Sequence, residues 1–115
     1  MIDKAKKAAA NYLKKKGYKI INRNFKTPAG VIDFVVKDTD ENVLVFCQAS
    51  VSNGEFSKQD VTRDQFEAMS ICYMAKNSDE INDCAVRFDL IDIAVINKGR
   101  ALLRHYINVF GEGSK

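Results

Sequence analysis

The chain has 115 residues, 46% of them apolar, with one proline and six glycines. That is enough for one hydrophobic core and too little for two, with no room for a repeat array or a long linker. The formal net charge of +3 marks neither a strongly basic arm nor an acidic solvating chain, and no run approaches the roughly 20 apolar residues of a membrane span.

The lysine-rich beginning has no apolar stretch of the signal-peptide kind, so the expectation is a cytoplasmic protein with no membrane partner. One domain is expected over 1–110, with 111–115 as a flexible tail.

In chain order, Asp3 is placed to cap a helix running to about Lys16, rich in Ala and Lys. Ile2, Ala5, Ala9, Tyr12 and Leu13 fall on one face at helical spacing, and Gly17 stops the helix because it enters the left-handed conformation without strain. Tyr18 to Phe25 reads as a strand, Thr27 to Gly30 as a turn, and Val31 to Lys37 as a second strand that is apolar except for Asp33. After the polar reversal 38–42, Val43 to Ser50 forms a third strand, too continuously apolar at its start for a surface position. A polar loop over 52–58 leads to a second helix over about 59–76, with Val61, Phe66, Met69, Cys72 and Tyr73 inward. Phe88 to Ile96 and Ala101 to Tyr106 are the last strands, joined by a turn at Asn97-Lys98-Gly99. The order is helix, three strands, helix, two strands. The predicted fold class is therefore α/β, a mixed five-stranded sheet flanked by helices.

Cys47, Cys72 and Cys84 are an odd number at long spacings, which fits neither a disulfide framework nor a zinc site. Their apolar neighbours mark them as small hydrophobes. The charges are unevenly spread: residues 4–26 carry nine lysines and arginines and no acid, a pattern suited to an anionic partner or to a solvated face. His105, the only histidine, has no neighbours that complete a catalytic triad and reads as a packed or hydrogen-bonded residue. Phe110 reads as an anchor for the tail.

Asp33 is the exception in its strand. A carboxylate among apolar residues is costly unless it is paired, hydrogen-bonded or bound to metal. Strict alternation puts Val31, Asp33 and Val35 on one face, and Phe46, Gln48 and Ser50 on one face of the next strand. If the two faces meet, Asp33, Gln48 and Ser50 converge.

This layout resembles the PD-(D/E)XK restriction-endonuclease-like superfamily, and within it the small YraN-like proteins related to Holliday junction resolvases. The resemblance is carried by Ala9 to Leu13, by Gly17 to Ile21 with Arg23-Asn24, and by Gly30-Val31-Ile32-Asp33 where the family reads Gly-Glu-Ile-Asp. It continues through Leu44 to Ser50, where the family reads Val-Phe-Val-Glu-Val-Lys, then Arg87-Phe88-Asp89 and His105 to Phe110. It implies a restriction-endonuclease-like sheet and a site in which aspartate and glutamate bind Mg²⁺ while lysine positions the attacking water. On this chain Asp33 matches the aspartate, Gln48 stands at the glutamate, Ser50 at the lysine and Val31 at the glutamate before the aspartate. An acidic position of the first helix falls at Lys6, and a helix lysine falls at Gln65.

An amide and a hydroxyl replace the groups that grip the ion and offset phosphate charge, so the resemblance implies a degenerate site. Asp33 is the one weak metal candidate, no cofactor is expected, and Mg²⁺ is expected only if activity survives. The leading expectation is a non-catalytic module that holds DNA through phosphate contacts from Lys4, Lys7, Lys14, Lys15, Arg23 and Lys26, with Lys16 and Lys19 beside them and Lys58 and Arg63 flanking the old site. Two alternatives stand beside it. One is a metal-dependent endonuclease in which Glu41, Glu55, Asp60 or Glu67 supplies the lost carboxylate. The other is a protein-interaction or structural subunit, such as a homodimer. Asp89 and Asp92 in the fourth strand are candidates separate from the Asp33 site; Asp89 is expected to serve the fold by pairing with Arg87 or a basic residue of the first helix.

Overall fold

A computed structural model describes residues 2–56, 61–77 and 85–110. The order is α1 (Ile2–Lys15), β1 (Tyr18–Thr27), β2 (Gly30–Asp38), β3 (Val43–Asn53), α2 (Arg63–Lys76), β4 (Ala85–Asn97) and β5 (Arg100–Tyr106). The strands form one sheet in the order β1-β2-β3-β4-β5. Only β3 and β4 run parallel; the other neighbours are antiparallel. This is the expected mixed α/β sheet flanked by helices, an arrangement compatible with a restriction-endonuclease-like fold. The single parallel pair follows from connection length, since a parallel neighbour needs a crossover and the chain supplies α2 between β3 and β4.

Each helix covers one face of the sheet. Ala5, Ala9, Ala10 and Leu13 of α1 pack on Phe34, Val36, Val45, Cys47, Ile91 and Ile93. Phe66, Met69 and Tyr73 of α2 pack on Ile32, Val35, Leu44 and Phe46. Small alanines let α1 lie close to the sheet, while α2 uses large side chains. Burying each of the larger ones contributes about 1.5–3 kcal/mol. Phe110 stacks edge-on with Phe66 and Phe88 at centroid distances of 5.7 and 6.3 Å, the anchoring role expected of it.

Element boundaries move at the ends. α1 already begins at Ile2, so Asp3 lies inside its first turn and is not its cap. α2 begins at Arg63, four residues later than the periodicity suggests, because Thr62 caps it by accepting the Gln65 amide at 3.1 Å. Cys47 is fully buried and Cys72 half-buried, whereas Cys84 lies outside the described residues. The expected tail 111–115 lies outside them as well.

Gly30 is required by both conformation and space. Its φ is +144°, and a Cβ there would meet Gln65 Nε2 and Met69 Sδ, each at 3.2 Å. Gln65 in turn donates to the Ala29 carbonyl at 3.1 Å, tying the β1–β2 turn to α2.

Candidate functional site

The sheet alternation breaks at Asp33. Ile32 packs in the α2 cluster, yet Phe34, two residues on, packs in the α1 cluster. Its neighbour strand breaks at the same place: Asn24, which would sit opposite, is left-handed with φ +52°. The β2–β3 pairing also stops here, its last partners being Phe34 and Cys47. Beyond that point side chains replace the main-chain ladder. The Ala49 amide donates to Asp33 Oδ2 at 2.7 Å. The Asp33 amide donates to Gln48 Oε1 at 2.8 Å, and Gln48 Nε2 donates to the Val31 carbonyl at 2.8 Å.

Gln48 thus presents an acceptor and a donor to β2 in the pattern of a peptide group. A glutamate could take the first of these bonds but has no hydrogen for the second. The amide that looks like a damaged metal ligand in the sequence is the chemically suited group for this gap.

The other oxygen of Asp33 faces α1, where Lys6 Nζ donates to Oδ1 at 2.9 Å. The side chains of Lys6 and Asp33 are 30% and 13% exposed, so the pair sits at a rim and is not sealed in the core. Ser50 does not join it. Its hydroxyl donates to Asp92 Oδ1 at 2.7 Å, with Ser50 and Asp92 paired across β3 and β4. Because Ile91 and Ile93 face α1, Asp92 and Ser50 lie on the α2 side of the sheet, opposite the Asp33 carboxylate. The expected convergence of Asp33, Gln48 and Ser50 is therefore corrected. Gln48 meets the backbone of Asp33, and Ser50 belongs to a different face.

The donor set around Asp33 does not suit a divalent ion. Both carboxylate oxygens carry donors, and the Gln48 carbonyl is spent on a main-chain amide. No group of three or more His, Cys, Asp or Glu side chains with metal-holding geometry occurs among the described residues. The proposed substitutes are scattered. Glu41 lies in the β2–β3 turn at the far end of the hairpin from Asp33. Glu67 pairs with Arg63 at 3.1 Å on the exposed side of α2, Glu55 is exposed after β3, and Asp60 lies outside the described residues.

The basic residues make a surface. Lys4, Lys7, Lys14, Lys15, Lys16, Lys19, Arg23 and Lys26 are all exposed, and Lys58 lies outside the described residues. Lys14, Lys19 and Arg23 line an open groove of about 610 Å³ with Tyr18 and Asn22, and Lys15 and Lys16 line a second of about 590 Å³. Across β1 and β2, Arg23 pairs with Phe34 and Lys26 with Val31, which brackets Asp33. Since Phe34 faces α1 and Phe25 faces α2, Arg23 and Lys26 project on the α1 side, with Lys6.

A second polar centre lies under α1, built from segments that carry the resemblance but to which it assigns no site role. Asp89 is fully buried and accepts from Arg87 Nε and Nη2, each at 2.9 Å, and from the Asn108 amide at 2.9 Å. His105 Nε2 lies 2.7 Å from Oδ2 of the same carboxylate, and His105 Nδ1 lies 2.9 Å from the Tyr12 hydroxyl. Arg87 also donates to the Tyr18 hydroxyl at 2.8 Å. Burial alone would push the Asp89 carboxyl up. The hydrogen bonds from His105, Arg87 and Asn108 outweigh it and hold the group below its usual range. Burial likewise raises Tyr12, helped by Tyr18 and Asp89, while the Asp89 bond lifts Arg87 against its desolvation. This clasp joins α1, β1, β4, β5 and the segment after β5. Asp89 thus pairs with Arg87 as expected and His105 is a hydrogen-bonding residue, but the part played by Tyr12 was not visible in sequence.

The chain is thus a small α/β protein, a five-stranded mixed sheet with a helix on each face and a carboxylate set where the β2–β3 pairing stops. A profile of the uncharacterised protein family UPF0102 matches residues 5–93, and the chain belongs to that family. It is 32% identical over 113 residues to a UPF0102 protein of Clostridioides difficile, covering 94% of each chain. A UPF0102 protein of Pelotomaculum thermopropionicum is 33% identical over 90% of this chain and 88% of its own. One from Trichlorobacter lovleyi is 27% identical over 94% and 87%. No helix among the described residues is long and apolar enough to cross a membrane.

Proposed function

We propose that this chain keeps the scaffold of a PD-(D/E)XK nuclease and holds the backbone of DNA without cutting it. The observation that carries this reading is the Lys6–Asp33 ion pair at 2.9 Å, with an ammonium on the carboxylate where a nuclease would need a divalent ion. Gln48 supports it by bonding the main chain at both ends, and Ser50 by bonding Asp92 on the other face. Among the described residues, a hard cation that gives up its waters reluctantly finds no cluster of carboxylates there to hold it.

Binding follows from charge. Lys14, Lys19 and Arg23 share one groove and Lys26 lies farther along the same strand, an arrangement suited to phosphates and indifferent to base sequence. Filter binding of duplex, single-stranded and four-way DNA across a salt series tests it. The expected result is binding whose logarithm falls linearly with the logarithm of salt and which varies little with sequence. No retention of any of the three at about 50 mM salt, where phosphate contacts are strong, would remove the reading.

A second reading, a homodimer or partner subunit, is favoured by β5. This edge strand and the residues around it expose Leu102 by 48%, Tyr106 by 40% and Ile107 by 56%. Phe56, the other expected centre of such a patch, is half-buried beneath the Arg104 guanidinium, 4.2 Å from its ring centroid. Light scattering distinguishes the two, since a monomer at working concentration leaves β5 without a self-partner.

A further inference from the structure

We propose that Lys6 is a built-in cation that takes the divalent ion's place towards a DNA phosphodiester, so that backbone binding at this rim needs no metal. The inference rests on the DNA-binding reading above and adds a specific contact to it.

The geometry makes Lys6 different from the other lysines of α1. Ala5 and Ala9 are buried against the sheet, and Lys4 and Lys7 are fully on the outside. Lys6 lies between, at the edge where helix meets sheet, and its head is fixed by Asp33 Oδ1 at 2.9 Å. Asp33 is itself held in place, because its other oxygen accepts from the Ala49 amide at 2.7 Å. A rigid anion therefore holds the ammonium in position. An ammonium has three N–H donors and Asp33 takes one, so donors remain for an incoming oxygen on a side chain that is 30% exposed. Arg23 and Lys26 project on the same side of the sheet, bracketing Asp33 across the strand pair.

In a metal site a carboxylate holds a cation and the cation holds the phosphate. Here the same order is kept with a covalently attached cation. It attracts a phosphodiester, but it cannot lower the pKa of a bound water or polarise phosphorus as a divalent ion does. Attachment without hydrolysis is the consequence, and binding is indifferent to chelators.

Fluorescence anisotropy with a labelled DNA duplex tests this on the full chain, in EDTA and in Mg²⁺ at matched ionic strength. Wild type should bind equally in both buffers. Lys6→Gln, which can still bond Asp33 but leaves its charge uncompensated, should weaken binding by about tenfold. The decisive variant is Lys6→Gln with Asp33→Asn, in which the pair is neutral overall, as in wild type, and can still hydrogen-bond. It should remain several-fold weak, with a salt slope shallower by about one, the loss of a single phosphate contact. Recovery of wild-type affinity and slope in the double variant would mean that Lys6 only neutralises Asp33, and would overturn the inference while leaving DNA binding intact. A wild type that binds only with Mg²⁺ would overturn it too. A wild type that binds in neither buffer would remove the parent reading first.

Discussion

Two aspartates lie in strands beneath α1, and the protein treats them in opposite ways. Asp89 has no exposure and receives donors from Arg87, His105 and the Asn108 amide. Asp33 sits at a rim, 13% exposed, with one ammonium and one amide. A buried charge is tolerable only when its hydrogen-bonding capacity is filled. Asp89 meets that demand from β4, β5 and the segment after β5. The bonds of His105 to Tyr12 and of Arg87 to Tyr18 extend the network to α1 and β1 and so tie the fold together. Asp33 meets it locally, in the break where two strands part, and stays near solvent. The fully satisfied carboxylate belongs to the architecture, and the half-open one lies where the proposed function places its ligand.

The comparison predicts the largest loss at the buried centre. Asp89→Asn strands the Arg87 guanidinium and should cost about 3–5 kcal/mol in urea unfolding. Its pH signature has a definite sign. The folded carboxyl lies below its unfolded value near 3.9, so its stabilisation is complete above that pH and is lost as pH falls through the folded value. Wild type should therefore lose stability on the acid side below about pH 4, and the variant should show a flatter acid limb.

Gln48→Glu should come next, at about 1–3 kcal/mol near neutral pH, because the Val31 carbonyl loses its donor and a second anion approaches Asp33. Protonating the new carboxyl restores a donor, so the gap to wild type should narrow in mildly acidic buffer. A gap that widened there would contradict the peptide-like role of this amide. Tyr12→Phe removes one bond to His105 and should cost about 1 kcal/mol, read as a small shift in thermal midpoint. Arg63→Ala breaks only an exposed pair on α2 and should stay within about 0.5 kcal/mol in the same measurement.

The sequence exposes the two centres unequally, for physical reasons. Asp33 stands out because a lone acid in Val31 to Lys37 has no local partner, and Arg87 with Asp89 stands out because residues two apart share a strand face. The order of elements along the chain and the two covering helices follow from periodicity and connection length. Asp33's neighbours do not. Strict alternation places Ser50 beside it, but the break between Ile32 and Phe34 turns the Asp33 carboxylate to the α1 side, while Ser50 stays on the α2 side. A local break in the pleat has no period, and its one trace is Asn24, a residue type that tolerates the left-handed conformation. Lys6 stands out only as the residue at an acidic position of the family's first helix, and nothing in the sequence pairs it with Asp33. Nothing in the sequence joins Tyr12 to His105, 93 positions away. The exchange of a metal ligand for a main-chain mimic at Gln48 is likewise invisible until the gap it fills is seen.

The central claim is that the residues around Asp33 serve one another and leave no seat for a catalytic ion. Mn²⁺ titration of the purified chain by calorimetry, followed by incubation with four-way and nicked DNA in the same buffer, tests it most directly. The expected result is no saturable heat and no cleavage. A single-site isotherm together with strand cleavage, both abolished by Asp33→Ala, would contradict it.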